Sequence, residues 1–149
     1  ANTASFGVAF SSCALPGQEQ PVFTLADDEM EIGMGIHGEP GVRHATMQSS
    51  EGIAKELCSA VAEDLTLREG ERIAVLVNGL GATSREELFI FYRDVERILQ
   101  SRGLVIAKAF VGEYATSMEM SGLSLSLLRL NDERETYLNA AAYTPFASF

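Results

Sequence analysis

Short apolar runs, separated by glycine- and proline-marked breaks, set the architecture of this chain. Phe6 to Leu15 is small, apolar and uncharged and stops at Pro16-Gly17, as a buried strand does. Val22 to Leu25, after Pro21, is a short strand candidate. From Glu29 to Ile36, acidic residues or glycines alternate with apolar ones. That pattern puts Met30, Ile32, Met34 and Ile36 on one face of a half-buried strand. His37-Gly38-Glu39-Pro40-Gly41 then requires a loop. Ile53, Leu57, Val61 and Leu65 recur every four residues, and Ala54, Cys58 and Ala62 widen the stripe, which predicts a helix over Ser50 to Leu65.

The apolar run Ile73 to Val77 predicts a strand flanked on both edges. Asn78-Gly79-Leu80-Gly81-Ala82 is a second glycine-rich loop at its end. Thr83 and Glu86 have capping-box spacing, and the helix they open turns Leu88, Phe91, Val95, Ile98 and Leu99 inward until Gly103 stops it. Leu104 to Val111 and Leu123 to Leu130 are strands, joined by a hydroxyl-rich connector from Gly112 to Gly122. A short helix fits Asp132 to Leu138. The order β-β-β-α-β-α-β-β predicts an α/β fold of two layers, a mixed sheet with helices packed mainly on one face. No repeat or linker interrupts it, so residues 1–149 form one domain.

Composition narrows the partners. A chain of 149 residues, 46% hydrophobic and 21% charged, is long enough for a sizeable core. The net charge of −10 repels phosphate backbones and anionic lipid, which argues against nucleic-acid and membrane-surface binding. No apolar stretch is long enough to span a bilayer. The first residues lack the marks of a signal peptide, and two cysteines without metal spacing, Cys13 and Cys58, read as reduced, buried thiols of a cytoplasmic protein. The chain opens on Ala1, not Met, as a cleaved product or a fragment does.

His37 is the sharpest chemical feature. It stands between Gly35 and Gly38 where a strand gives way to a loop, so backbone or ligand can approach closely. A solvent-facing loop histidine and a nucleophile, general base or ligand are both open readings, since an imidazole with a pKa of about 6.5 is largely uncharged near neutral pH. Glu39 either orients that imidazole or meets solvent. His44 has no such setting and reads as surface; two histidines without further ligands make a zinc site improbable. Gly33 to Gly38 spells G-x-G-x-x-G, but Glu39-Pro40-Gly41 follows where a dinucleotide fingerprint needs a helix to open. No Gly-Lys-Ser or Gly-Lys-Thr occurs, so a Walker A loop is absent; Gly79-Leu80-Gly81 is either a tight turn or a backbone wall of the same cleft. The connector residues Thr116 to Met120 read as packing and turn chemistry.

The run Thr24 to Gly41 closely resembles the signature of the K domain of dihydroxyacetone (glycerone) kinases. Gly7 to Pro16, Val77 to Thr83, and Gly112 to Leu128 with its Tyr-x-Thr-Ser-Met-Glu-Met-Ser-Gly core, agree in the same order. The resemblance covers essentially the whole chain and implies the second, substrate-capturing half of a K subunit. In such kinases a histidine ring nitrogen adds to the carbonyl carbon of dihydroxyacetone as a hemiaminal, a role that maps onto His37, with Gly35, Gly38 and Glu39 in the substrate loop. Only a carbonyl carbon accepts the nucleophile, so glycerol is refused.

The resemblance implies that an earlier domain, carrying a histidine and an aspartate for proton transfer, is missing here, so this chain alone is expected to be inactive. It also implies that the phosphoryl donor, ATP-Mg or tightly bound ADP, sits on a separate L-type domain or subunit, and that K subunits pair as homodimers. Ser84-Arg85-Glu86, Met118-Glu119 and the ending Tyr143-Thr144-Pro145-Phe146 vary from the family pattern and leave the ketose open, erythrulose included. Paralogues that sense dihydroxyacetone for a transcription regulator, without catalysis, are the alternative, and His37 suits both.

Overall fold

The computed structural model describes residues 1–35 and 41–144. In chain order the elements are β1 (Thr3–Ala9), β2 (Glu29–Ile32), β3 (Arg43–Thr46), α1 (Ser50–Asp64), β4 (Arg72–Gly79), α2 (Arg85–Ser101), β5 (Val105–Gly112), β6 (Gly122–Arg129) and α3 (Asp132–Asn139). The strands form one sheet in the order β3-β2-β1-β6-β4-β5. Only the β4–β5 pair is parallel, joined through α2; the other pairings are antiparallel. The sheet is therefore mixed, as expected, and β4 lies between β6 and β5 as its unbroken apolar run predicts.

Helices α1 and α2 cover one face. Ile53, Leu57 and Val61 of α1 and Leu88, Phe91, Val95 and Leu99 of α2 bury against Val8, Ile32, Val75, Leu125 and Leu127. At about 25 cal/mol per Å² of apolar surface, each such side chain contributes roughly 1.5–3 kcal/mol, which is why the helical stripe predicts the layer it joins. The opposite face begins open: Ser5, Ser126 and Leu76 form one cross-strand row, and Gly7, Ser124 and Asn78 the next. Helix α3 has no buried residue. It leans on that face at the β5 edge, where Lys108 Nζ donates to Leu138 O at 3.0 Å.

Several expectations are corrected. The first strand ends at Ala9, because the Phe10 and Ser11 amides both turn to Ser121 O. Val22 to Leu25 is not a strand: the Phe23 amide donates to Ser12 Oγ at 3.1 Å, and the ring packs against a small second cluster of Ala9, Cys13, Met34, Leu80 and Met120. The strand expected over Glu29 to Ile36 stops at Ile32, because Gly33 takes φ +82°. Met34 thereby leaves the face of Met30 and Ile32 and joins the second cluster. In exchange, Arg43–Thr46 forms a third strand on the sheet edge, which has no apolar pattern to announce it. The cap of α2 is Ser84, whose hydroxyl accepts from the Glu87 amide while Glu87 reaches back. Thr83, expected to cap, is buried and bonds both backbone groups of Gly122 through its hydroxyl.

Candidate functional site

The turn after β2 crosses the open face of the sheet. The Gly33 amide donates to Gly7 O at 2.7 Å, which carries Met34 over β1. Gly7 has to be a glycine there: a Cβ would stand 2.8 Å from Met34 O. Gly41 and Val42 bring the chain back. The Val42 amide donates to Ile32 O at 2.7 Å, and the Gly41 amide to Glu31 Oε1 at 2.6 Å. The connection between β2 and β3 is thus pinned at both ends. His37, Gly38 and Glu39, three of the four site residues expected from sequence, lie outside the described residues. The fourth, Gly35, lines a cleft on the open face.

That cleft measures about 370 Å³. Its floor is the two rows Ser5, Ser126, Leu76 and Gly7, Ser124, Asn78; Gly33, Met34 and Gly35 form one side, and Tyr114 and Ala115 the other. The floor is rich in hydroxyls, with Ser5 Oγ and Ser126 Oγ 2.6 Å apart. The exposed lining is mostly apolar, with the serine hydroxyls as its uncharged polar points.

Asn78 builds the far wall. Its side chain is buried, and Oδ1 accepts from the Tyr114 and Ala115 amides, both at 2.8 Å. Nδ2 donates to Ala115 O at 2.7 Å and to Gly79 O at 2.9 Å. Every polar atom of the side chain is used, so Asn78 shapes the connector and is not itself a free ligand group. Tyr114, half exposed, stands edge-on to Phe110 with ring centroids 6.2 Å apart. The rest of the connector does what its composition predicts. Ser117 and Met120 are buried, and the Ser117 amide donates to Leu80 O at 2.8 Å. Glu119 Oε1 accepts from the Ala14 amide at 2.7 Å, a bond that holds the Glu119 carboxyl below the usual range.

Gly79-Leu80-Gly81 is a strand-to-helix turn and takes no part in this cleft. The Leu80 amide goes to Gly122 O and the Ala82 amide to Met120 O. Gly81 has φ +127°, and a Cβ there would meet Met118 O at 1.8 Å. With those amides turned inward, the loop does not fit a nucleotide's phosphates.

Glu31 lies on the same face of the sheet, beside the cleft and not in its lining. The alternation of β2 suggests an outward acid, yet only 5% of Glu31 is accessible. A signal was available, because Glu31 is one of the acids inside the Thr24 to Gly41 run. His44 is exposed as expected, with Nδ1 3.8 Å from Glu29 Oε2. Cys58 is buried and its thiol is pushed up to about 12 by burial, so it is no nucleophile at neutral pH. Among the described residues no cluster of three or more His, Cys, Asp or Glu is placed to hold a metal ion. No described helix is long and apolar enough to cross a membrane. A second cleft of about 370 Å³ lies on the helical side, between Phe10, Met47, Ile53, Thr83 and Ile90; its one carboxylate, Glu87, is committed to the α2 cap.

With that geometry in hand, comparison with known proteins decides the family: the Dak1 domain model matches residues 1–146. This chain is a member of the Dak1 domain family. Over 147 residues it is 44% identical to L-erythrulose kinase of Pectobacterium atrosepticum, covering 96% of this chain and 25% of that protein. It is 41% identical over 146 residues to the dihydroxyacetone-binding subunit DhaK of PTS-dependent dihydroxyacetone kinase 2 of Listeria innocua serovar 6a, covering 98% of this chain and 44% of that one. Among solved structures, the dihydroxyacetone kinase operon co-activator Dha-DhaQ superposes with a TM-score of 0.86 at 38% identity, over 94% of this chain and 44% of that chain. This Dak1 chain thus spans less than half the length of these relatives.

Proposed function

We propose that this Dak1 chain is the ketose-capturing portion of a dihydroxyacetone-type kinase, holding dihydroxyacetone or a related short ketose such as erythrulose as a hemiaminal on His37. The observation that carries the reading is the pinned β2–β3 connection. Gly33 and Gly41, which flank that stretch of sequence, are both held by hydrogen bonds, and Gly35 lines a small cleft with three serines in its floor. The naming of relatives as dihydroxyacetone-binding and erythrulose kinase proteins supports the substrate class.

The step is an addition. The lone pair of a neutral ring nitrogen forms the C–N bond, the π pair of the carbonyl moves onto oxygen, and that oxygen takes a proton from solvent. The ring, cationic at that moment, gives up its other N–H proton, so the adduct is neutral. Capture holds the ketose in one place, and its terminal hydroxyl then meets a phosphoryl donor supplied by another domain or subunit. Proton transfer at that hydroxyl is assigned to the earlier K domain, and the complete protein would work in the cytoplasm, with homodimer pairing carried over from the family.

The test is native mass spectrometry of the complete protein with dihydroxyacetone and, separately, erythrulose. A mass increase of one ketose is expected, and its loss in His37→Ala. An adduct that persists in His37→Ala, or none in the parent, rejects the reading. A second reading, a ketose sensor acting as co-activator of a transcription regulator, is favoured by the close superposition on Dha-DhaQ. Ketose phosphorylation by the complete protein with ATP-Mg or a phosphotransferase partner supports the kinase; capture without turnover supports the sensor.

A further inference from the structure

We propose that α3 is a salt-sensitive strap. Docked, it closes the β5 end of the open sheet face; undocked, it uncovers an apolar pocket that adjoins the cleft described above.

The helix is a weak element by itself. It has eight residues, Asp132–Asn139, and none is buried. A helix that short is marginal in water unless something else holds it. What holds it is polar and comes mostly from the sheet. At the first turn Arg72, which opens β4, pairs with Asp132 and places Nη1 2.8 Å from Glu135 Oε2. That Glu135 oxygen is buried and makes no hydrogen bond among the described residues, so its attachment is charge on charge. Arg134 Nη1 donates to Arg129 O at 3.0 Å. At the last turn Lys108 Nζ of β5 donates to Leu138 O at 3.0 Å and to Asn139 Oδ1 at 3.2 Å. A cation there also suits the negative end of the helix dipole.

One apolar side chain accompanies these bonds. Leu138, half-buried, roofs a pocket of about 200 Å³ whose other walls include Ala74, Leu76, Phe110 and Leu128 of the sheet. Leu76 and Ser126 line this pocket and the larger cleft alike, so the two adjoin. The strap therefore stands at one end of that cleft. Lifting α3 takes Leu138 away and leaves Leu76, Phe110 and Leu128 facing solvent. A single half-buried leucine leaves the docked and undocked states close in free energy, so the ion pairs decide the balance. The Arg72 side chain is 42% exposed and that of Asp132 95%. Pairs so exposed are weak individually, and salt screens them.

The experiment is amide hydrogen exchange of the complete protein at about 0.1 M and about 1 M NaCl, which shortens the Debye length from about 10 Å to about 3 Å. The α3 amides of residues 135–138 should exchange about three- to fivefold faster at the higher salt, the scale of screening two exposed pairs, while the β4 amides hold their rates. Arg72→Gln should reach that faster α3 exchange at low salt and lose most of the salt response. A thiol placed under the strap, Leu128→Cys, should react with a small maleimide faster at the higher salt by the same factor. Wild-type α3 amides as protected as those of β4, or indifferent to salt, overturn the strap even if a variant fails to fold. A full salt response in folded Arg72→Gln overturns the assignment to its ion pairs. Salt-dependent exchange with unchanged labelling of Leu128→Cys overturns the claim that α3 covers the pocket. No ketose is present in these measurements, so they stand apart from the role of His37.

Discussion

Replacing Gly7 by alanine tests whether the crossing of the β2–β3 connection over β1 matters to the proposed ketose capture. The added Cβ would stand 2.8 Å from Met34 O and 3.6 Å from Leu123 O. An unstrained carbon–oxygen contact is about 3.3 Å, so the Met34 carbonyl must retreat by roughly 0.5 Å. Leu123 O already tolerates the methyl, so relief goes toward the loop and strains the 2.7 Å bond from the Gly33 amide to Gly7 O. Overpacking of this kind costs about 1–3 kcal/mol, and the entropy saved by losing a strand glycine offsets about 0.5–1 kcal/mol of it. Net destabilisation should be about 0–2.5 kcal/mol, readable from urea unfolding of the complete protein. Capture should suffer more than stability. Misplacement by 1 Å can cost about a hundredfold, so a 0.5 Å shift should weaken ketose binding about tenfold under conditions where the variant is fully folded. Wild-type affinity in Gly7→Ala would refute the claim that this crossing matters to capture, and so would a loss that merely tracks the unfolded fraction.

Asn78 and Asp94 carry two further tests. Asn78→Ala removes four hydrogen bonds and should cost about 2–3 kcal/mol, with faster amide exchange at Tyr114 and Ala115 while the β4 amides stay protected; uniform acceleration would deny Asn78 its local role. Burial of Asp94 pulls its pKa up, but the Ser50 hydroxyl at 2.8 Å and the Arg93 guanidinium outweigh it, and the carboxyl titrates below the usual range. A depressed folded-state pKa means the stabilisation is complete above the unfolded value near 3.9 and is lost as pH falls through the lowered one. Asp94→Asn should therefore flatten the acid limb of urea midpoint against pH, and an unchanged limb would sink the assignment.

The sequence by itself determined the layers. Four-residue spacing in α1 and α2 and the unbroken apolar run of β4 are local consequences of which faces must leave water, so they predict burial without knowledge of the partner. The Thr24 to Gly41 run likewise marked His37 by its residues and their order alone. What failed was whatever depends on a neighbour distant in the chain. Arg43–Thr46 becomes a strand because β2 offers it an edge, with no pattern of its own, whereas Val22 to Leu25 has strand composition and no ladder to join. The cap of α2 moves to Ser84 because Thr83 is claimed by Gly122, at the start of the neighbouring strand β6 and remote in sequence.

Glu31 shows the division most clearly. Its alternation says outward, and in an isolated strand outward means water. Here the positive φ of Gly33 folds the following segment back over β1, the return at Gly41 closes on the carboxylate, and an exposed acid becomes a buried one. Periodicity is set by the backbone of one strand, while solvent access is set by everything that comes to rest on it, and only the folded chain decides that.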